Sequence, residues 1–267
     1  MKNFFIGFLA GIGNIIPGLS GSALLIVFGI YENILKAISN ILKTFKKNFI
    51  YLFPIGLGII IGTFLFSNII KYFLDNHLVI TSFVFTGLLL GTIPSLFIEA
   101  SKEKFKKSYL IYFIITFLLG INLLFFKETN ITYDLEYNFF TIIKLIFTGF
   151  ILACSTIIPG ISSTVLLNIA GMYGIYINAI NTVNLSILIP ILIGLIISGF
   201  FLAKLINYLL KNYYGYTFYS ILGFTIATIP GLLMIPIAIN ITLIISIILG
   251  IIAFLLSYFF INKFKLN

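Results

Sequence analysis

Residues 15–38 read IIPGLSGSALLIVFGIYENILKAI, and residues 157–180 read IIPGISSTVLLNIAGMYGIYINAI. At a fixed offset of 142, eleven positions are identical, among them Pro17/Pro159, Gly18/Gly160, Ser20/Ser162, Gly29/Gly171 and Tyr31/Tyr173. Each copy sets a Pro-Gly-x-Ser break inside apolar sequence. Matched breaks in the two halves of a membrane chain point to a transporter binding site.

The likeness continues at an offset of 136. Pro54 matches Pro190, Gly58 matches Gly194, Tyr72 matches Tyr208, Gly87 matches Gly223, and Thr92-Ile93-Pro94 matches Thr228-Ile229-Pro230. The change of offset falls in the basic loop at 39–50, where insertions are tolerated, so the two halves share one architecture. The expected fold is an all-α polytopic membrane protein made of two inverted-topology repeats. Each repeat is a re-entrant Pro-Gly-broken hairpin followed by three transmembrane helices. The first, 1–126, has its hairpin at 4–38 and spans at 50–70, 79–98 and 108–126. A polar outer linker, KETNITYDLEYN, fills 127–138. The second repeat, 139–267, has its hairpin at 139–180 and spans at 186–206, 216–235 and 239–261.

Composition sets the solvent. The chain is 61% hydrophobic and 9% charged over 267 residues, with a mean hydropathy of +1.20. That is too little charge to cover a water-soluble domain of this size. Apolar runs of about 20 residues match a hydrocarbon core of roughly 30 Å. Barrel strands would alternate apolar and polar residues, and these runs do not. The N-terminal run has only Lys2 ahead of it and is broken at Pro17-Gly18, so it reads as mature structure rather than a signal peptide. Cys154 is the only cysteine, which excludes an intrachain disulfide and a cysteine-built metal centre.

The net charge of +9 comes from lysine alone. It is read as membrane topology, with no nucleic-acid partner expected. With the Lys36–Lys47 segment placed inside and each hairpin returning to its own side, thirteen lysines fall inside and three (Lys71, Lys127 and Lys144) do not. Both termini are then cytoplasmic and the acidic linker with Glu128, Asp134 and Glu136 lies outside. Three spans per half is odd, so the halves take opposite orientations, the usual scaffold for alternating access.

The Pro-Gly-x-Ser element has a definite chemistry. Pro17 and Pro159 lack an N–H and disfavour helix at the preceding residue. Gly18 and Gly160 permit a sharp turn. Ser20 and Ser162 suit the cap of the helix that follows. Two helix N-termini meeting near the midplane offer unpaired N–H donors and partial positive charge to an anion, best a phosphate or carboxylate. Around them stand Gly21, Ser22, Ser163 and Thr164. The bland alternative is a pair of Pro-kinked helices whose serines bond only to backbone.

Other polar residues leave two readings open. Glu32 is either an interfacial residue or a coupling carboxylate. Asn14 bonds either a ligand or a neighbouring helix. Lys144 reads as a snorkelling side chain. The 30 Phe and 15 Tyr read mainly as lipid-facing and interfacial surface.

These motifs resemble the PopT family, over essentially the whole chain. The resemblance implies a polyprenyl-phosphate translocase that returns undecaprenyl phosphate from the outer to the inner leaflet of the cytoplasmic membrane, for reuse in cell-envelope synthesis. The family typically has Asp where this chain has Asn14, which removes the acid on which coupling at that position would rest. It often has a second Gly-Ser where this chain has Ser163-Thr164. No cofactor and no metal is expected, and a proton or sodium gradient is the candidate driving force. A transporter of a small soluble organic anion or phosphate shares the fold and the tips but needs a closed aqueous path. A lipid phosphatase is disfavoured: one His and seven acids give no recognisable catalytic set.

Overall fold

The computed structural model describes residues 1–15, 21–125, 138–159 and 163–265. Every regular element among them is a helix: α1 (Lys2–Ile15), α2 (Gly21–Val27), α3 (Tyr31–Ser39), α4 (Phe45–Asn76), α5 (Leu78–Ala100), α6 (Lys107–Leu124), α7 (Phe139–Ile157), α8 (Ser163–Ile169), α9 (Tyr173–Asn181), α10 (Leu185–Asn212), α11 (Tyr214–Leu233) and α12 (Ile241–Lys265). Seven of them, α4–α7 and α10–α12, are long and apolar enough to cross a membrane. Two differ from the expected spans. α4 runs for 32 residues and begins inside the basic loop, because Phe45–Phe53 holds no breaker and lysines near a helix end can reach water. α7, expected as a hairpin arm, has the 19 residues of a span.

Helix ends recur at the sequence offsets. α2 ends at Val27 and α8 at Ile169, and α3 and α9 begin at Tyr31 and Tyr173 and have nine residues each. Between the short helices Gly29 and Gly171 adopt φ of 68° and 66°. Ile30 N–H then reaches back to the Leu25 carbonyl, and Met172 N–H to the Leu167 carbonyl. This is the Schellman termination, in which a left-handed glycine lets the chain satisfy the last helical carbonyls. In the first copy it turns the axis by 112° between α2 and α3. Single residues, His77 and Tyr213, separate α4 from α5 and α10 from α11, each with φ near −139° and ψ 46°.

Glycine sets the closest packing. α1 lies against α4, and α7 against α10. A Cβ on Gly7 would enter the Ile55 carbonyl, and one on Gly58 the Phe4 carbonyl. Gly149 stands in the same relation to Ile191, and Gly194 to Ile146. Lipid provides no hydrophobic drive between helices, so close backbone approach through small residues is what joins them. The remaining long helices exchange partners between halves: α5 packs on α12, α6 on α11, and α5 on α11 at the centre. About half of the α5, α7 and α11 side chains are buried, against 11–17% for α4, α6, α10 and α12. The latter four present apolar faces outward, as lipid contact requires.

One end of the bundle is tied by polar groups. The Tyr214 hydroxyl donates to Glu99 at 3.1 Å and lies beside Glu32. Glu103 accepts from the Tyr109 hydroxyl at 2.9 Å and from Gly215 N–H at 3.2 Å. Lys102 pairs with Glu99, and Lys36 with Glu32 at 3.8 Å. The start of α3, the 99–107 loop and the α10–α11 turn, with the lysines they carry, therefore share one end.

Candidate functional site

The first half reaches the second break through α3 and α7. Tyr31, 3% exposed, donates its hydroxyl to the Ile157 carbonyl at 2.6 Å across 126 residues of sequence. Ile157 closes α7 two residues before Pro159, where the helical ladder stops, so its carbonyl needs an outside donor. Ser39, at the far end of α3, donates to the Ala203 carbonyl of α10 at 3.2 Å. The first short-helix pair is thus fastened to the second half at both ends of α3.

Among the residues singled out by sequence, Pro17, Gly18, Ser20, Gly160 and Ser162 lie outside the described residues, as does the Thr164 side chain. Asn14 is placed: its side-chain oxygen accepts from Gly21 N–H, the first residue of α2, at 2.9 Å. It does for α2 what a capping residue does, from seven positions upstream. A Cβ on Gly21 would collide with that Asn14 oxygen, so this approach needs glycine. Ser22 is buried in α2. Ser163 is half-buried at the start of α8, and Pro159 is buried just before it. Glu32 sits in the first turn of α3, where its charge suits the helix N-terminus, paired with Lys36.

A cavity of about 580 Å³ opens beside Pro159. Its lining comes from Tyr31, Ile158 and Pro159, from Ile206 and Leu209 of α10, from Tyr213, from Tyr216–Phe224 of α11, and from Tyr112 of α6. Sequence reasoning missed it, because a reading of aromatic residues as mainly lipid-facing and interfacial surface does not single out those that turn inward. Tyr109 is instead 1% exposed. Its ring lies 4.7 Å from Tyr216 and 5.3 Å from Tyr219, while Tyr112 lies 4.9 Å from Tyr216. The available signal was the density of tyrosine at 208–219, five in twelve residues. Thr217 and Ser220 donate their hydroxyls to the carbonyls of Tyr213 and Tyr216, both at 2.8 Å, and both residues line the cavity.

Seven helices of spanning length among the described residues, with two short-helix pairs between them, define a polytopic helical membrane protein. Comparison with known proteins agrees. The profile of a family described as undecaprenyl phosphate translocase-like matches residues 1–109 and 40–247. A polyprenyl-phosphate transporter of Staphylococcus aureus is 30% identical over 245 residues, 86% of each chain. A polyprenyl-phosphate transporter of Vibrio cholerae is 25% identical over 244 residues, 86% of this chain and 76% of that one. No solved structure matches the chain. The chain belongs to the undecaprenyl phosphate translocase-like family.

Proposed function

We propose that this protein is a transporter that carries polyprenyl phosphate from the outer to the inner leaflet of the cytoplasmic membrane, returning the lipid carrier to cell-envelope synthesis. No bond is made or broken. The observation that carries the reading is the likeness, over 86% of the chain, to two proteins named polyprenyl-phosphate transporter. The matched breaks supply the chemistry. In this reading the phosphate is held between the tips at Gly18–Ser22 and Gly160–Thr164, by backbone N–H groups and hydroxyls rather than a fixed cation, so that it can leave again. Asn14 holds the first tip in shape rather than touching the ligand.

The halves are read as inverted repeats that rock about the central α5–α11 pair, with the lysine-rich end in the cytoplasm. Two findings support this. Helix pairings exchange under the repeat: α1–α4 corresponds to α7–α10, and α5–α12 to α11–α6. The contact between α3 and α10 has no comparable counterpart between α9 and α4 among the described residues. A structure closed at one such seam and not at its equivalent is what one state of an alternating-access cycle requires. A proton or sodium gradient is the proposed driving force.

The test is reconstitution into liposomes with labelled polyprenyl phosphate in one leaflet. Loss of label from that leaflet should be accelerated by the protein and not by the Ser20→Ala/Ser162→Ala double variant. Acceleration by the double variant at the wild-type rate would sink the tip assignment, and no acceleration by the wild type under either gradient would sink the transport reading.

A further inference from the structure

From the cavity at the α10–α11 turn we infer a lipid-phosphate vestibule, which takes the phosphate end and first isoprene units of the polyprenyl phosphate at the lysine-rich end of the protein and opens sideways into the bilayer between α6 and α10. The inference rests on the transport reading above and adds a site to it.

Three observations converge on one occupant. The first is the lining. Ile158, Ile206, Leu209, Ile221 and Phe224 give apolar walls, and hydroxyls of Tyr112, Tyr213, Tyr216, Thr217 and Ser220 stand among them. Tyr112 and Tyr213 are about half exposed, and neither hydroxyl has a hydrogen-bond partner among the described residues. Phenols at a partly wet rim donate well to phosphate oxygens. Lys107 opens α6 and Lys211 lies in the last turn of α10, which puts positive charge at the ends of the two helices beside the rim. A wholly soluble anion has no use for the apolar part, and a neutral lipid has none for the rim.

The second is the way out. α6 packs along α11, α10 packs on α7 and α3 and meets α11 only slightly, and α6 and α10 make no extensive contact with each other. Ile111 and Ile115 on α6 and Leu205 and Tyr208 on α10 are about half exposed. A volume near 580 Å³ falls within the ~300–1,000 Å³ of small-ligand sites. It suits a head group with a few isoprene units, and the rest of the chain must leave through an apolar gap.

The third is that the repeat does not copy this chemistry. At the offset of 136, Thr217 alone keeps its hydroxyl, as Thr81, while Tyr213, Tyr216 and Ser220 correspond to His77, Ile80 and Val84. The equivalents of Ile206 and Ile221, Ile70 and Phe85, are buried in an apolar cluster with Val84, Leu88, Ile12 and Leu24. A hydroxyl-lined cavity confined to the lysine-rich end is therefore not a packing fault that the fold makes twice. It is a feature of one leaflet, where a carried phosphate is handed over.

The experiment uses the full chain in liposomes and a polyprenyl phosphate bearing a photoreactive diazirine on its first isoprene units. Label should fall on residues 206–224 and be competed by unlabelled polyprenyl phosphate, but not by inorganic phosphate or the unphosphorylated alcohol. Ser220→Trp, which fills the cavity, should cut both labelling and transport by about tenfold or more. Ile197→Trp on the lipid-facing side of α10 should change neither. Should Ser220→Trp not fold, Ser220→Cys in a Cys154→Ala background, blocked after purification with a bulky thiol reagent, gives the same readout. Competed label elsewhere on a transporting wild type, or full transport with the cavity filled, overturns the vestibule and leaves the transport reading standing. A wild type that neither transports nor shows competed label overturns both.

Discussion

Gly56 and Gly58 are two residues apart on α4, and the structure predicts opposite effects of the same substitution at each. A Cβ on Gly56 meets nothing within 4 Å, whereas one on Gly58 lands on the Phe4 carbonyl oxygen with Phe8 N at 2.7 Å. Alanine at either position gains the same helix propensity, about 1 kcal/mol. At Gly56 nothing opposes that gain, so Gly56→Ala is expected to be neutral to stabilising by up to ~1 kcal/mol. At Gly58 the obstacle is the backbone of α1, which cannot turn aside as a side chain would. The helices must separate, and overpacking of that kind costs about 1–3 kcal/mol. The difference between the two variants equals that cost, because the propensity gain cancels. With about 2–4 °C of melting temperature per kcal/mol for a chain of this size, Gly58→Ala should melt several degrees below Gly56→Ala. Thermal unfolding of the two purified proteins in one detergent measures it. Equal melting temperatures would refute the close α1–α4 approach. The repeat supplies an internal check, since Gly194→Ala should behave as Gly58→Ala does.

Three further outcomes follow from single contacts. Asn14→Ala removes the acceptor for Gly21 N–H and should lower stability by about 1 kcal/mol, while Asn14→Asp keeps an acceptor there and should melt near the wild type; an Ala variant as stable as the wild type would show that the tip does not depend on this bond. Tyr31→Phe leaves the buried Ile157 carbonyl without its donor, at a cost of about 1–3 kcal/mol, read from denaturant unfolding, and an unchanged midpoint would contradict the bond. Gly29→Ala and Gly171→Ala each place a Cβ on a left-handed residue, so both should lose roughly 1–2 kcal/mol. A loss at only one of them would mean that the two turns are not equivalent.

The repeat was legible because its signals are local. Proline and glycine act on their own backbone, so the end of α7 just before Pro159 could be placed from sequence. Gly29 and Gly171 were visible as identities, although their left-handed turns were not. Glu32 left two readings open, and the ion pair with Lys36 became visible only once α3 had formed. The tyrosines were misjudged for a related reason. A Tyr side chain suits a membrane interface, a buried ring cluster or a cavity rim equally well, and composition cannot say which face of a helix meets a neighbour.

The sequence by itself determined the solvent, the helical class and the duplication, because apolar length, breaker placement and recurrence are properties of a chain read in one dimension. Tertiary structure decided which helices exchange partners between the halves, that Tyr31 closes the carbonyl left open before Pro159, and that the α10–α11 turn encloses a hydroxyl-lined cavity. Each of these joins residues a hundred or so positions apart. Such meetings depend on how closely glycine lets backbones approach and on which carbonyl is left without a donor, and neither is fixed until the helices have packed.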